Sequence, residues 1–201
     1  MGFAGLQNEF HPSMKECAMN TALLIVDIQN DYFPGGNMEL VGSSEASLRA
    51  RELLLQFREM KLPVVHVHHI STRPGATFFL PGTKGVRPHE NVKPLPEEIV
   101  IHKSFPNSFR NTPLLDHLKK EQVEHLVIAG MMTHMCIDAT TRAAFDHGFS
   151  CTLAHDACAT RNLSFGDRVV AAEQVHLAFL AALSAIYAKV VGTAEVIGAL
   201  C

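Results

Sequence analysis

The sequence predicts a three-layer α/β/α domain on a mostly parallel sheet of about six strands, and three observations carry that prediction. Short apolar runs alternate along the chain with longer segments of helical periodicity. The first of these runs, TALLIVD, is continuously apolar between its polar ends, as suits a strand covered on both faces. The chain has 201 residues, 47% hydrophobic and 18% charged, enough to bury one core and too apolar for extended disorder. Strands that alternate with helices pair in parallel through right-handed crossovers, which puts helices on both faces.

The elements follow in order. Thr21 to Asp27 is the first strand. Ser43 to Met60 carries Leu48, Leu53, Leu54, Leu55, Phe57 and Met60 at mostly helical spacing, with a serine placed to cap the first turn. Pro63 to Ile70 reads as the second strand. The Pro- and Gly-rich stretch from Ser71 to Pro96 is a long loop, and a loop of that length inside a compact domain is usually functional. Glu98 to Lys103 is the third strand, and Thr112-Pro113 opens a helix running to about Glu121. Glu124 to Gly130 is the fourth strand, with a helix from about Thr133 to His147 behind it. Ser150 to Asp156 is the fifth strand. A long helix is expected from about Asp167 to Ala188, then a last strand near Val190 to Thr193. Residues 1–20 read as an N-terminal extension and 21–201 as a single domain.

Composition narrows the function classes. With 17 basic against 20 acidic residues, the net charge of −3 gives no electrostatic case for nucleic acid. The N-terminus lacks a basic-then-apolar layout, and no apolar run approaches the ~18 residues of a membrane span. The five cysteines are irregularly spaced with no CxxC pair, which favours reduced thiols, hence a cytoplasmic location, and gives no structural zinc site.

In open α/β sheets ligands sit beyond the carboxyl ends of the strands. Three chemically complementary residues occupy such ends: Asp27 closes strand one, Lys103 closes strand three, and Cys136 follows strand four. Cys136 falls in the expected first turn of a helix, where exposed N–H groups favour the thiolate. The competing reading is a small core residue, because cysteine is among the most buried types. Asp27, desolvated behind an apolar run, is a candidate base for that thiol. Lys103 would stabilise the carboxylate, the thiolate and a developing oxyanion.

With those residues in view, the chain resembles the cysteine hydrolases of the isochorismatase-like superfamily. The resemblance is carried by LLIVDIQNDYF (Leu23 to Phe33), VIHKSFPNSF (Val100 to Phe109) and VIAGMMTHMCIDATTRAAFDHG (Val127 to Gly148), with weaker support from AHDACAT (Ala154 to Thr160). It implies a Rossmann-like, isochorismatase-like hydrolase fold and a catalytic triad of Asp27, Lys103 and Cys136. It further implies a cysteine attack on a carbonyl-type carbon and a covalent thioester intermediate. A cis peptide at Met131-Met132 and an oxyanion hole from the N–H groups of Met132 and Cys136 are implied too. The GMMTHMC segment is similar to that of streptothricin-hydrolase-like stand-alone amidohydrolases, so the expected reaction is hydrolysis of a non-peptide C–N bond in a small molecule.

The nicotinamidase branch of that superfamily carries a metal site after the second strand. Here His66, His68 and His69 stand in that strand, but no Asp or Glu occurs between Met60 and Pro88, so neither metal nor cofactor is expected. A metal-assisted, nicotinamidase-like enzyme and a binding protein that has lost catalysis are the alternatives. Position alone makes Phe33, Asn107, Phe109 and His134 candidate substrate contacts, with Phe78 or Phe79 reaching in from the loop. The expected long C-terminal helix is apolar nearly all round beyond Val175, which suits burial in the domain or across the subunit interface of a dimer or tetramer.

Overall fold

The computed structural model describes residues 20–200. The extension expected over 1–20 lies outside them apart from Asn20, as do Cys17 and Cys201. The elements in chain order are β1 (Thr21–Val26), α1 (Ser43–Glu59), β2 (Val64–His69), β3 (Ile99–Lys103), α2 (Leu114–Lys120), β4 (His125–Met131), a π turn (Thr133–Ile137) running into α3 (Asp138–Asp146), and β5 (Ser150–Ala159). They continue as β6 (Leu163–Phe165), β7 (Arg168–Val170), α4 (Ala172–Ser184), β8 (Lys189–Val191) and α5 (Thr193–Leu200).

Six strands form one sheet in the order β3-β2-β1-β4-β5-β8, every neighbouring pair parallel. The expected three-layer architecture is therefore present. Alternation along β1 explains the layers. Ala22, Leu24 and Val26 face one core with Leu114 and Leu118 of α2, Ala143 and Ala144 of α3, and Leu180 and Leu183 of α4. Leu23 and Ile25 face the other core with Ala50, Leu53, Leu54 and Phe57 of α1 and Val196 of α5. A strand with both faces covered must be apolar at every position, which is why TALLIV has no polar alternation.

Three local expectations are corrected. Asp167 to Ala188 is not one helix: Leu163 to Val170 forms an antiparallel hairpin, and α4 covers only Ala172–Ser184. Gly166 at the hairpin tip has φ +61°, a conformation that ends helical periodicity before it can be read. On α4, Val175, Leu180 and Leu183 pack inward while Leu177 is 58% exposed. Ser43 caps nothing; Gly42, with φ 75°, turns the chain into α1 and no side-chain cap bond forms. The chain also continues past the last strand into α5, because the Gly192–Thr193 turn is held by the Asp156 carboxylate. That carboxylate accepts from the Thr193 N–H and hydroxyl at 2.8 Å each.

The order reverses between β1 and β4: β2 and β3 lie to one side of β1, β4 and β5 to the other. That reversal puts the carboxyl ends of β1 and β4 at the usual ligand position of such sheets. The two strands approach closely there. A Cβ on Gly130 (φ +140°) would lie 2.0 Å from the Val26 carbonyl oxygen, so only glycine fits.

Candidate active site

The carboxyl ends of four strands bring their polar side chains into one buried cluster. Asp27, immediately after β1, has φ 54° and turns the chain out of the sheet while its N–H still bonds Val67 O at 2.9 Å. Lys103 ends β3, and its Nζ donates to Asp27 Oδ2 at 2.6 Å, with both side chains at 0% exposure. The same ammonium also contacts Phe105 O at 3.2 Å and His69 Nδ1 at 3.4 Å. A donating ammonium makes Nδ1 the acceptor, so His69 carries its hydrogen on Nε2. Cys136 lies in the π turn, 4% exposed, and a carboxylate oxygen of Asp27, a ring nitrogen of His69 and the Cys136 Sγ lie within 4.8 Å of one another. Asp27, Lys103 and Cys136 are thus side by side, as the matching strand ends suggested.

The electrostatics differ from the sequence expectation in one respect. Burial pushes the Cys136 thiol well above the usual thiol range, the Asp27 carboxylate adds to the rise, and the Lys103 charge only partly opposes it. The helix N-terminus does not win, because the residue is buried rather than at an exposed first turn. The resting thiol is protonated. Burial also works against the Lys103 ammonium, but Asp27 and then Cys136 outweigh it and raise its pKa. His69 is pulled down by burial, with Lys103 adding to the fall, so its ring is neutral at pH 7. Asp27 Oδ1 is fully buried without a hydrogen-bond partner among the described residues, in a carboxylate that lies close to the thiol.

The backbone beneath the cysteine is unusual. The Met131-Met132 peptide is cis, and the Ile137 N–H reaches back to Met132 O at 3.2 Å, the five-residue spacing of a π turn. Met135 N–H bonds the same oxygen at 3.0 Å. Thr133 anchors the turn from the side, its hydroxyl contacting Ala159 O at 3.2 Å and His176 Nδ1 at 2.9 Å.

The candidate contact residues separate. Phe33 stacks on His89 of the long loop with ring centroids 3.7 Å apart, so it joins that loop to the β1 end. His134 is half-buried within the π turn and meets Thr160 Oγ1 at 2.5 Å. Asn107 accepts from its own neighbour, the Phe109 N–H, at 2.8 Å. Phe109 packs against Phe149 and His147 within the core under α2 and α3. Phe79 is fully buried, and Phe78 packs edge-on against it at 5.0 Å.

Three further residues build the site and were not singled out from the sequence. Gln29 is fully buried and clamps His69: its Oε1 accepts the His69 N–H at 2.7 Å and its Nε2 donates to His69 O at 2.9 Å. Asp31 accepts from Phe79 N–H at 2.6 Å and Asn37 N–H at 3.2 Å, fastening the long loop to the short turn Asn30–Tyr32. Tyr32 is buried, and burial followed by the nearby Cys136 and Asp27 holds its phenol well above the usual range, hence neutral. All three lie in the DIQNDYF motif, but apart from Asn37 the side-chain hydrogen-bond partners of Gln29 and Asp31 are 40 or more residues away.

A parallel α/β domain with a buried cysteine, carboxylate and ammonium at its topological reversal defines a class of candidate nucleophilic enzymes. Residues 21–195 match the family model described as Isochorismatase domain, and the chain belongs to that hydrolase family. It is 53% identical over 172 residues to an isochorismatase family protein, YddQ, of Bacillus subtilis (strain 168), covering 86% of this chain and 96% of that one. It is 37% identical over 143 residues to a streptothricin hydrolase of Streptomyces noursei, covering 71% of this chain and 55% of that protein. The crystal structure of an isochorismatase from Pseudomonas putida KT2440 superposes with a TM-score of 0.83 at 35% identity, covering 89% and 90% of the two chains.

Proposed function

We propose that the protein hydrolyses a non-peptide, amide-type C–N bond of a small molecule through a thioester on Cys136. The observation that carries this reading is the buried Asp27 carboxylate close to the Cys136 thiol, its Oδ2 held by Lys103 and its Oδ1 without a hydrogen-bond partner among the described residues. The names of relatives support the bond class: a streptothricin hydrolase, and more distantly a nicotinamidase of Acinetobacter baylyi at 24% identity.

In this reading Asp27 Oδ1 takes the Cys136 proton as sulfur attacks the substrate carbon. The N–H groups of Met132 and Cys136 receive the developing oxyanion, with Lys103 adding positive charge nearby. The protonated Asp27 then delivers that proton to the leaving nitrogen, and the C–N bond breaks to give the thioester and a free amine or ammonia. Asp27 next removes a proton from water, which attacks the thioester. The acid product leaves and the proton returns to sulfur. Each group ends as it began.

Lys103 keeps Asp27 ionised between steps and does not itself transfer a proton. The enclosing aromatic residues Tyr32, Phe33 and Phe79 suit a small, largely planar substrate. A second copy of the chain would pack on the exposed side of α4 that carries Leu177.

The test is a panel of small amides and ureides assayed for ammonia or amine release. Wild-type protein should turn over at least one compound, and Cys136→Ala should abolish that turnover. Retained release by Cys136→Ala would refute the mechanism. Sedimentation velocity of the wild type and Leu177→Glu tests the assembly, which the charge should dissociate.

A further inference from the structure

We infer that Asp27, His69 and Cys136 together form a site for a thiophilic divalent cation such as Zn2+, which binds through the nucleophile and blocks it. The ion would be an inhibitor and not a cofactor. Its binding does not depend on the proposed reaction; only the inhibitory consequence rests on that reading of Cys136.

Three features of the cluster carry the inference. The first is the donor set. A carboxylate, an imidazole and a thiol are the three side-chain types that bind Zn2+, and here they converge from three different strands. The second is spacing. Atoms within 4.8 Å of one another lie no more than about 2.8 Å from a common centre, against the ~2.0–2.3 Å of zinc–ligand bonds. Each donor therefore moves inward by well under an ångström.

The third is the state of the donors. Asp27 Oδ1 is fully buried with no hydrogen-bond partner among the described residues, so it loses no bond on meeting a cation. The His69 ring is neutral, as a metal ligand must be, and Gln29 fixes its backbone by two hydrogen bonds, of 2.7 and 2.9 Å. Besides the His69 Nδ1 lone pair, which must turn from the Lys103 ammonium to the ion, the Cys136 thiol must change. It exchanges its proton for the ion, so each Zn2+ bound releases one H+ and forms one Zn–S bond.

Lys103 sets the strength of the site. Its ammonium contacts Asp27 Oδ2 and His69 Nδ1, and it is the positive charge these donors already hold. A divalent ion arriving at the same donors is repelled by it. Affinity in the native protein is therefore weaker than that of a dedicated zinc site, and removing the ammonium strengthens it.

Chelator-stripped protein is titrated with Co2+, followed by thiolate-to-metal charge-transfer absorption, and with Zn2+ in competition with a chromogenic chelator. Wild type should bind one equivalent with a charge-transfer band, and Zn2+ should protect Cys136 from iodoacetamide. Affinity should rise about tenfold per pH unit, because one proton is released. Cys136→Ser should lose the band, His69→Gln should bind at least tenfold more weakly, and Lys103→Met at least tenfold more tightly.

No band in wild type overturns the inference, even if Lys103→Met shows one, because the native ammonium would then exclude the ion. A band that survives Cys136→Ser overturns it too. Circular dichroism checks that the variants fold, and the alkylation protection needs no variant at all. If Cys136→Ala still hydrolyses substrate while Zn2+ binds wild type as described, the proposed function fails and the site stands.

Discussion

Replacing Lys103 by methionine removes the ammonium and leaves the Asp27 carboxylate buried without its partner. The 2.6 Å contact corresponds to about 6 kcal/mol of attraction at an effective dielectric constant of ~20. Desolvating the two charges consumes several kcal/mol per ion, so the pair as a whole contributes little net stability. Breaking it from one side is a different matter. An uncompensated buried charge costs roughly 3–5 kcal/mol, and Asp27 has no second partner to fall back on, since Oδ1 already lacks one.

Asp27→Asn should cost less than Lys103→Met. The orphaned ammonium keeps Phe105 O and His69 Nδ1 as acceptors, at 3.2 and 3.4 Å. The double variant, with no buried charge left over, should be more stable than Lys103→Met alone. Urea unfolding of the metal-free proteins at pH 7 measures all four corners of the cycle. The reasoning is refuted if Lys103→Met costs less than about 1 kcal/mol, or if the double variant is the least stable of the four. The pH dependence has a definite sign. A lysine whose pKa is raised on folding contributes in full below its ordinary value near 10.5 and loses that contribution as pH climbs through the raised one, so the pair's effect is intact at neutral pH.

Three other outcomes are expected. The rate of Cys136 alkylation by iodoacetamide should keep rising across pH 7–9.5, whereas an ordinary thiol levels off near its pKa of ~8.5; a plateau there would contradict the raised thiol. Glu98 is opposed by burial, yet hydrogen bonds from Arg58, the Leu95 N–H and His66 hold its pKa at about 2, so its stabilisation is present above pH ~4.5 and lost as pH falls toward 2. Glu98→Gln should accordingly flatten the acid limb of stability against pH, and an unchanged limb would disprove the assignment. Gly130→Ala should destabilise by more than about 2 kcal/mol, because its Cβ would meet the Val26 carbonyl at 2.0 Å; near-neutral thermal unfolding would exclude that contact.

Much of this protein is decided locally and is therefore visible in the chain. The two-sided burial of β1 demands a continuous apolar run, and TALLIV is one. Asp27, Lys103 and Cys136 could be singled out because parallel strands put their carboxyl ends on one edge, so complementary residues at three such ends must be neighbours. The isochorismatase-like resemblance pointed to the same residues and to the cis peptide at Met131-Met132.

Tertiary structure decided the rest, for reasons of distance and burial. A helix start looked like the controlling influence on Cys136, but the desolvation that raises its pKa comes from elements packed over it from the rest of the chain. His69 alternates with two other histidines and looks no different from them in sequence. Only the β2–β3 register, which sets His69 opposite Lys103, and the Gln29 clamp bring it beside the ammonium. The hairpin at 163–170 was hidden for the opposite reason, because Arg168, Val169 and Val170 are exposed and so impose no core period on the sequence. Periodicity reports what a segment buries; which side chains share a charge or a proton depends on packing that no single segment contains.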